Sequence, residues 1–513
     1  MTVQAFFEAL YANKLLVAAI ATIILGLNVL RIRYQPGLRR IPGPFLASIT
    51  SLHRCLTGIQ GQQFLKDIEY HRKYGPLVRV GPYHVSVSDS SCINQIYGIS
   101  SKFYKSEFYD IFHADTGTSK VPTLFSVRDE SLHKSMKRPV ANAYSMTSMV
   151  ELEPMADECS RIFMSKMDRM EGEDVDLGTW LQWYAFDFVT SVTFSERLGF
   201  MEQETDVAQI IDAIEGRLAY NAIIGQAPYL HKFLLGNSFV KTITSSLKAV
   251  ARLNSARKIV VFAAKQLEKY SNTEKSLTSP KDMLARFKRS REGEVLITDK
   301  QVLAHVSANI FAGSDTTAIA LRAIIYFLCK NPTCYQDAVA ELDKFDRDEE
   351  LSDPVKFAEA MRMPYLQACI KEAMRLHPSG GQMLERVVPE GGSTLSGVYL
   401  QEGTIVGMNP WVTSRDEVVY GSDVDEFRPD RWLTAEPSKL QAMERNFLAF
   451  GAGSRTCIGK NVSLLEISKL IPQLLRRYDI HLSRPDAELT LTGFFFVKQT
   501  GLYCRLTRRK NSS

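Results

Sequence analysis

Cys457 stands in a segment whose residue types suit the binding of a metal through a thiolate. The segment FGAGSRTCIG, residues 450–459, runs directly into an amphipathic helical pattern. A cysteine at the start of a helix meets unpaired N–H groups and the positive end of the helix dipole, which lower its pKa and favour the thiolate, the form that binds iron. Gly453 and Gly459 let the backbone approach a flat cofactor closely, and Arg455 can pair with an anionic group on its edge.

A second group of residues that could take part in chemistry lies in a long predicted helix. Thr298 followed by Gln301 forms a capping box, and Asn331-Pro332 ends the helical pattern after Lys330. Such a helix is about 48 Å long. Its centre, AGSDTT at residues 312–317, contains glycine and paired threonines, of which the glycine alone costs about 1 kcal/mol of helix propensity.

Small side chains recur every four residues along this helix, at Ala308, Ala312, Thr316 and Ala320. They predict one face against which a flat body could lie. Close packing of another helix would use the same strip, and on the helix alone this explanation is slightly favoured.

The elements that position these residues belong to a large globular chain. With 513 residues, 45% hydrophobic and 23% charged, the composition excludes collagen-like, disordered and disulfide-scaffold proteins. A net charge of +5, spread along the chain, gives no reason to expect nucleic acid as a partner. The eight cysteines include no Cys-x-x-Cys pair, which excludes a zinc ribbon or thioredoxin motif and suits a reducing compartment.

Helical spacing dominates the chain between residues 130 and 380, whereas short alternating strands are predicted near residues 75–82 and 84–88. The predicted fold is mainly α with a small β part (α+β). Neither a repeat nor a long linker follows residue 45, and the polar stretch 271–281 is short enough for a surface loop. Residues 46–513 are therefore predicted to form one domain.

An uncharged run from Leu15 to Leu30 predicts a membrane anchor in residues 1–34. Sixteen helical residues span about 24 Å of a hydrocarbon core of about 30 Å, and Lys14 and Arg31 can snorkel from its ends. A cleaved signal peptide is the less favoured alternative, because small residues suited to cleavage lie inside the run. The arginines that follow place the rest of the chain in the cytosol, after a basic, proline-rich hinge at residues 35–45.

Taken together, these residues resemble the cytochrome P-450 family of haem-thiolate monooxygenases, over essentially the whole chain beyond the anchor. The family pattern Phe-x-x-Gly-x-Arg-x-Cys-x-Gly is matched at Phe450, Gly453, Arg455, Cys457 and Gly459. The resemblance implies the cytochrome P-450 fold with one N-terminal transmembrane helix, and haem b (iron protoporphyrin IX) with Cys457 as the axial ligand of its iron.

Further matches assign roles by the same resemblance. Asp315 and Thr316 correspond to the acid and alcohol that deliver protons, and are the expected catalytic residues. Glu372, Arg375 and Arg431 correspond to a structural triad. The expected contacts of the haem propionates are His133, Lys137 with Arg138 beside it, and Arg386.

Electrons have to come from another protein. No Gly-x-Gly-x-x-Gly follows a strand and the chain has no flavin or iron–sulfur segment, so NADPH is expected to act through a separate flavoprotein reductase, with cytochrome b5 as a further candidate partner. The resemblance is greatest to fungal members similar to pisatin demethylase, which implies the endoplasmic reticulum membrane, a single pass, a cytosolic catalytic domain and secondary-metabolite biosynthesis.

The expected substrate is an apolar small molecule that is hydroxylated, demethylated or epoxidised. The segments that match the family's substrate pocket are residues 108–125, 216–230, 379–384 and 492–496 and the helix near Phe311; their bulky apolar residues include Phe112, Phe125, Met383 and Phe494. Two other functions stay open: a haem-thiolate isomerase or dehydratase that does not use dioxygen, and a non-catalytic haem-binding protein.

Overall fold

The computed structural model describes residues 14–115, 120–244, 246–271, 282–289 and 297–510. The first 13 residues of the predicted anchor lie outside this part, as does the predicted loop at 271–281, apart from Ser271.

Helices make up most of the described chain. In order along the sequence they are α1 (Lys14–Arg33), α2 (Leu52–Ile59), α3 (Gln63–Tyr74), α4 (Ile93–Tyr97), α5 (Glu130–Lys137), α6 (Met146–Val150), α7 (Glu153–Arg169), α8 (Leu177–Phe194), α9 (Phe200–Gln203), α10 (Ile210–Ile224), α11 (Ser238–Thr244), α12 (Lys248–Leu253), α13 (Ala256–Ser271), α14 (Met283–Arg289), α15 (Asp299–Lys330), α16 (Pro332–Arg347), α17 (Phe357–Ala360), α18 (Pro364–Leu376), α19 (Pro410–Thr413), α20 (Glu417–Tyr420), α21 (Arg431–Thr434), α22 (Pro437–Asn446) and α23 (Lys460–Arg477).

The strands are short. They are β1 (Leu77–Gly81), β2 (His84–Val87), β3 (Tyr104–Lys105), β4 (Ala114–Asp115), β5 (Lys120–Val121), β6 (Asp174–Asp176), β7 (Arg386–Val387), β8 (Ser393–Leu395), β9 (Val398–Leu400), β10 (Ile405–Gly407), β11 (Tyr478–Leu482), β12 (Thr490–Gly493), β13 (Val497–Thr500) and β14 (Tyr503–Arg508). One sheet has the order β1-β2-β10-β7-β3 and another the order β11-β14-β6, while β4-β5, β8-β9 and β12-β13 form pairs. The mainly α prediction with a small β part is confirmed.

Helix α15 runs through the largest hydrophobic core and packs against α8, α13, α18 and α23. Its predicted ends are confirmed: the Gln301 N–H donates to Thr298 Oγ1 at 3.3 Å, and the Thr298 N–H donates to Gln301 Oε1 at 2.8 Å. The glycine in its centre has a packing reason. A Cβ on Gly313 would lie 2.8 Å from Cγ2 of Val189 on α8, so the close approach of the two helices requires a glycine.

Helix α1 stands apart from this core. Its 20 residues span about 30 Å, the thickness of a hydrocarbon core. None of the window Leu16–Arg33 is buried inside the protein, and its mean hydropathy is 1.9. Helix α15 also has the length and hydropathy of a span, but 72% of it is buried in the core. Helix α1 is therefore the candidate membrane span, and it is four residues longer than the uncharged run Leu15–Leu30.

The segment that follows α1 packs against the sheet that contains β1. Leu38 and Ile41 are buried there, and Arg79 of β1 donates to the carbonyl oxygens of Ile32 at 2.7 Å and Arg33 at 2.8 Å. The last turn of α1 is thus tied to the globular part through backbone acceptors.

Candidate active site

A cavity of about 400 Å³ lies between α15, α5, the loop before α23 and the 3-10 segment Glu107–Phe112. This volume is within the range of cavities that hold small ligands. Its lining includes every member of the predicted strip of small residues: Ala308, Ala312, Thr316 and Ala320. The strip therefore borders a cavity and does not seat another helix, which corrects the explanation that the sequence alone slightly favoured.

The loop before α23 presents Cys457 to this cavity. The thiol is exposed to the cavity although protein surrounds it. The loop is closed by a hydrogen bond from the Cys457 N–H to the carbonyl oxygen of Phe450, at 2.8 Å. Gly453 has φ +64°, and a Cβ there would lie 1.7 Å from the carbonyl oxygen of Tyr97. This glycine is needed for packing against Tyr97 and does not line the cavity, unlike Gly459.

Two opposing effects act on the thiol of Cys457. Burial raises its pKa above the ordinary value and outweighs the backbone N–H groups of Gly459 and Lys460 and the charges of Lys460 and Lys137, which lower it, so the predicted lowering is not the net effect in the protein alone. The N–H groups come from the first residues of α23, so the predicted effect of a helix start is present in the geometry. A metal cation bound at the sulfur would remove the proton outright.

Basic residues gather at one side of the cavity: the predicted His133, Lys137, Arg386 and Arg455 together with Lys105. Arg455 donates to the carbonyl oxygen of Val127 at 2.8 Å and forms an ion pair with Glu130, also at 2.8 Å. Lys137 donates to the carbonyl oxygen of Ser454 at 3.1 Å. These contacts join the cysteine loop to the start of α5.

The field in this cluster is positive. Burial lowers the pKa of His133 to about 3, with further lowering by Arg455, Lys105, Lys137 and Arg386. Burial, and then the charges of Arg386 and Arg455, hold the pKa of Lys105 well below its usual range. The charged forms of these basic groups are disfavoured by burial and by one another, and an anionic partner would stabilise them. A flat group that contains a metal and carries anions on its edge, such as haem, fits these residues. Its metal would bind the thiolate of Cys457, and its anions would meet the basic cluster.

Thr316 and Asp315 are neighbours whose side chains point in different directions. Thr316 lines the cavity and donates from Oγ1 to the carbonyl oxygen of Ala312 at 2.8 Å. Asp315 is buried against α8, where it accepts a hydrogen bond from Nε2 of Gln182 at 2.7 Å, and Gln182 accepts one from Arg322 at 2.9 Å. Burial raises the pKa of Asp315 to about 6.

Adjacent residues of a helix lie about 100° apart around its axis, which explains why Asp315 does not face the cavity. The prediction that both side chains lie beside the reacting centre therefore holds geometrically for Thr316 alone. Thr317 also lines the cavity, and its hydroxyl lies 2.9 Å from the hydroxyl of Ser463 on α23.

Aromatic rings line the side of the cavity away from the basic cluster. Phe112 lies 5.2 Å from Phe125 and 5.0 Å from Phe495, between ring centroids. Phe311 and Phe496 also line the cavity. The predicted pocket residues Phe112, Phe125 and Phe311 are thus in place. Met383 and Phe494 are not among the lining residues in the described part of the chain.

The predicted triad of Glu372, Arg375 and Arg431 is formed. Glu372 is fully buried and pairs with Arg375 at 2.8 Å and Arg431 at 2.7 Å. The triad does not line the cavity. It fixes α18 to the backbone of residues 414–426, upstream of the cysteine loop.

Among the polar residues that line the cavity, Lys105 lies outside every predicted site segment, whereas Arg217 and Asn221 lie in the predicted pocket segment 216–230 but were not singled out within it. Lys105 lies in a two-residue strand and carries no motif, so no local signal marks it. Arg217 and Asn221 are four residues apart within an apolar stretch of α10. This helical spacing of two polar residues was the signal in the sequence that could have identified them.

Comparison with known proteins gives consistent matches over almost the whole chain. The family model described as Cytochrome P450 matches residues 36–504. Cytochrome P450 monooxygenase cicH of Emericella nidulans is 37% identical over 95% of this chain and 97% of its own length. A cytochrome P450 monooxygenase of Aspergillus terreus is 36% identical over 91% and 95%. Pisatin demethylase of Fusarium vanettenii is 35% identical over 90% of this chain and 88% of its own length.

Proposed function

This chain belongs to the cytochrome P450 family and is a monooxygenase, and on that premise we propose that it inserts one oxygen atom from dioxygen into an apolar small molecule held in its cavity. One observation carries the proposal: Cys457 faces an enclosed cavity from the start of a helix, with two backbone N–H groups close to its sulfur. Hydroxylation, epoxidation and demethylation, the last named for one relative, are the proposed reaction types, in fungal secondary-metabolite biosynthesis.

Haem b is the proposed cofactor, with Cys457 as the axial ligand of its iron, and when bound it supplies the activation of dioxygen. The basic cluster supports this proposal, since His133, Lys137, Arg386 and Lys105 can meet the propionates. Arg455 already donates to Glu130 and to backbone acceptors. We therefore assign Arg455 a double role, in which it also holds the loop of Phe450, Gly453 and Gly459 against α5.

Thr316 and Asp315 are the proposed catalytic residues. The hydroxyl of Thr316 can hold a water that delivers protons to the reacting centre, because it is the side chain of the pair that faces the cavity. Asp315 has a pKa of about 6, raised by burial, so it can take up and release a proton near neutral pH. The hydrogen bond from Gln182 holds this carboxyl group on the α8 side, and in the proposal its protons reach the cavity through Thr316.

The proposed electron source is NADPH through a separate flavoprotein reductase, with cytochrome b5 as a further candidate partner. Exposed cations near the cysteine loop, Lys134, Arg138 and Lys460, offer a docking face to an acidic partner. Helix α1 supports membrane attachment, and the proposed location is the endoplasmic reticulum membrane, with a single pass and the catalytic domain in the cytosol.

The test is turnover of candidate apolar metabolites by the full-length protein in lipid, with reductase, NADPH and ¹⁸O₂. The proposal expects one ¹⁸O atom in a hydroxylated or epoxidised product, no product without NADPH, and none from Cys457→Ser. For a demethylated product the label is sought in the released formaldehyde. Product formed without NADPH and dioxygen would refute the proposal and indicate an isomerase or dehydratase. A normal haem spectrum that no candidate metabolite changes would favour a non-catalytic haem-binding protein.

A further inference from the structure

Arg217 is a charged residue buried on the inner face of α10. The side chains of Ile210, Ile214 and Leu218 on the same helix are buried apolar groups, whereas Arg217 is 7% exposed and lines the cavity. A buried guanidinium needs partners, because burial without them costs several kcal/mol. Its surroundings therefore indicate which partner it is suited to.

Protein groups satisfy Arg217 only in part. Its Nη2 donates to the carbonyl oxygen of Ile111 at 2.9 Å, and the guanidinium lies 5.1 Å from the ring centroid of Tyr220. Among the described residues no carboxylate lies within ion-pair distance of it. Asp115 acts on it at longer range, but the carboxylate of Asp115 pairs with Lys241 at 2.9 Å.

The charge around Arg217 is predominantly positive. Lys120 and Lys241 act on the same region, and burial together with Lys120, Arg217 and Lys241 lowers the pKa of His231 to about 4. An anion placed here would be attracted by all three cations. Because Arg217 itself is buried, its attraction for an anion is stronger than that of a cation on the surface.

Asn221 provides a second, independent observation. It lies one helical turn after Arg217, lines the same cavity and is 2% exposed. Its Oδ1 has no hydrogen-bond partner within the described ranges of the chain. A buried acceptor without a donor costs stability, and a donor group on a ligand bound in the cavity would satisfy it.

The neighbouring wall is aromatic. Ile111, whose carbonyl oxygen accepts from Arg217, is followed by Phe112, and the ring of Phe112 packs against Phe125 and Phe495 on the cavity wall. An apolar ring can therefore lie against Phe112 while a charged group on it reaches Arg217.

We infer that the substrate is an aromatic carboxylic acid, whose carboxylate pairs with Arg217 and whose neighbouring hydroxyl or N–H group donates to Asn221. This inference deepens the proposed function and rests on it. It also explains how the enzyme could oxidise one carbon of its substrate selectively, because a carboxylate fixed at Arg217 limits which carbon can lie near Thr316.

The experiment measures binding by calorimetry to the full-length haem protein in detergent. The probes are 2-naphthoic acid and its methyl ester, which share the ring and differ in charge. The wild type should bind the acid at least tenfold more tightly than the ester. Arg217→Gln should weaken binding of the acid by about 10- to 100-fold, the range for a hydrogen bond to a charged group, and leave the ester within threefold.

Two further variants separate charge from folding. Asn221→Asp places a carboxylate one turn from Arg217 and should weaken acid binding as strongly as Arg217→Gln, because the guanidinium is then paired internally. Arg252→Gln is the matched control, since Arg252 pairs with Asp212 at 2.6 Å on the exposed side of α10 and should leave both affinities unchanged.

The reduced carbonyl spectrum is recorded first for every protein. A wild type without the thiolate band would overturn the proposed function, whereas a wild type with the band and equal affinity for acid and ester would overturn only the inference about Arg217. If Arg217→Gln lacks the band, the wild-type comparison and Asn221→Asp decide the inference by themselves.

Discussion

Replacement of Glu372 by alanine should lower the free energy of unfolding by about 3–5 kcal/mol, the cost of breaking a buried ion pair. The carboxylate is fully buried and accepts five hydrogen bonds. Oε1 accepts from Arg375 at 2.8 Å, Arg431 at 2.7 Å and the N–H of Arg428 at 3.1 Å. Oε2 accepts from Arg375 and from the indole N–H of Trp432, both at 2.8 Å.

Alanine leaves the guanidinium group of Arg375 without its anion, whereas Arg431 loses one of two carboxylate partners and keeps Asp423 at 3.2 Å. Arg375 still donates to the carbonyl oxygens of Ser414 at 2.7 Å and Val424 at 2.6 Å, so it keeps hydrogen bonds but loses charge compensation. A loss of 3–5 kcal/mol is a large part of a total stability of about 5–15 kcal/mol. We therefore expect a low yield of haem-containing Glu372→Ala protein.

The assay is urea unfolding of the full chain in detergent, followed through the haem absorption and far-UV circular dichroism. Arg362→Ala is the control, because Arg362 and Glu350 form an exposed pair at 2.8 Å with side chains 52% and 43% exposed, and loss of such a pair costs at most about 1 kcal/mol. A Glu372→Ala protein as stable as this control, with a normal haem spectrum and slower turnover, would refute the structural role and assign the triad to catalysis.

The same carboxylate predicts a pH dependence. Burial alone raises the pKa of Glu372, but the hydrogen bonds and charges of Arg375 and Arg431 outweigh it and hold the pKa below its ordinary value. A carboxyl group with a lowered folded pKa adds stability above its unfolded pKa of about 4.3, and this stability is lost as the pH falls through the folded value. The stability difference between wild type and Glu372→Gln should therefore be constant from pH 8 to 6 and shrink below about pH 4.

Three other predictions concern the ligand, the catalytic pair and the anchor. Cys457→Ser should abolish the red-shifted Soret band of the reduced carbonyl complex; loss of that band on replacing a different cysteine would contradict the assignment. Thr316→Ala should keep haem and NADPH consumption but yield less product and more peroxide per NADPH. Thr317→Ala should show a smaller loss of product per NADPH, and Asp315→Asn should mainly slow turnover. An unchanged ratio of product to NADPH in Thr316→Ala would exclude the proposed role of Thr316. Deletion of residues 1–34 should reduce membrane binding, as measured by sedimentation, with the haem spectrum retained; a truncated chain without haem would make the segment part of the core.

The parts of the site that sequence predicted are those set by local pattern. The capping box at Thr298 and the stop at Asn331-Pro332 lie next to the residues they control, and the ends of α15 follow from them. The loop around Cys457 is likewise short, and the backbone hydrogen bonds of Thr456, Cys457 and Lys460 run to residues within it. The partners of Gly313 and Gly453 could not be predicted, because Val189 and the carbonyl group of Tyr97 are distant in sequence.

Residues without a motif were missed for the same physical reason. The cluster around His133 draws on β3, α5, β7 and the cysteine loop, so the position of Lys105 within it follows from the tertiary fold. Arg217 differs from Lys105, because the sequence shows its helical spacing with Asn221 but not that its side chain is buried. A charged residue on a helix is solvated by default, and only the packed structure distinguishes one that faces a cavity.

If Asp315 and Thr316 have the proposed roles, the different directions of their side chains let one helix serve both proton supply and exclusion of water. The carboxyl group of Asp315 lies among Gln182 and Arg322 on the α8 side, and burial there raises its pKa to about 6. A carboxylate that faced the cavity directly would bring charge and water to the apolar strip of Ala312 and Ala320, whereas the hydroxyl of Thr316 adds neither charge nor a large polar surface. Under the proposed roles, the 100° step between adjacent helical residues keeps the charged acid out of the cavity while the hydroxyl beside it in sequence faces an apolar substrate.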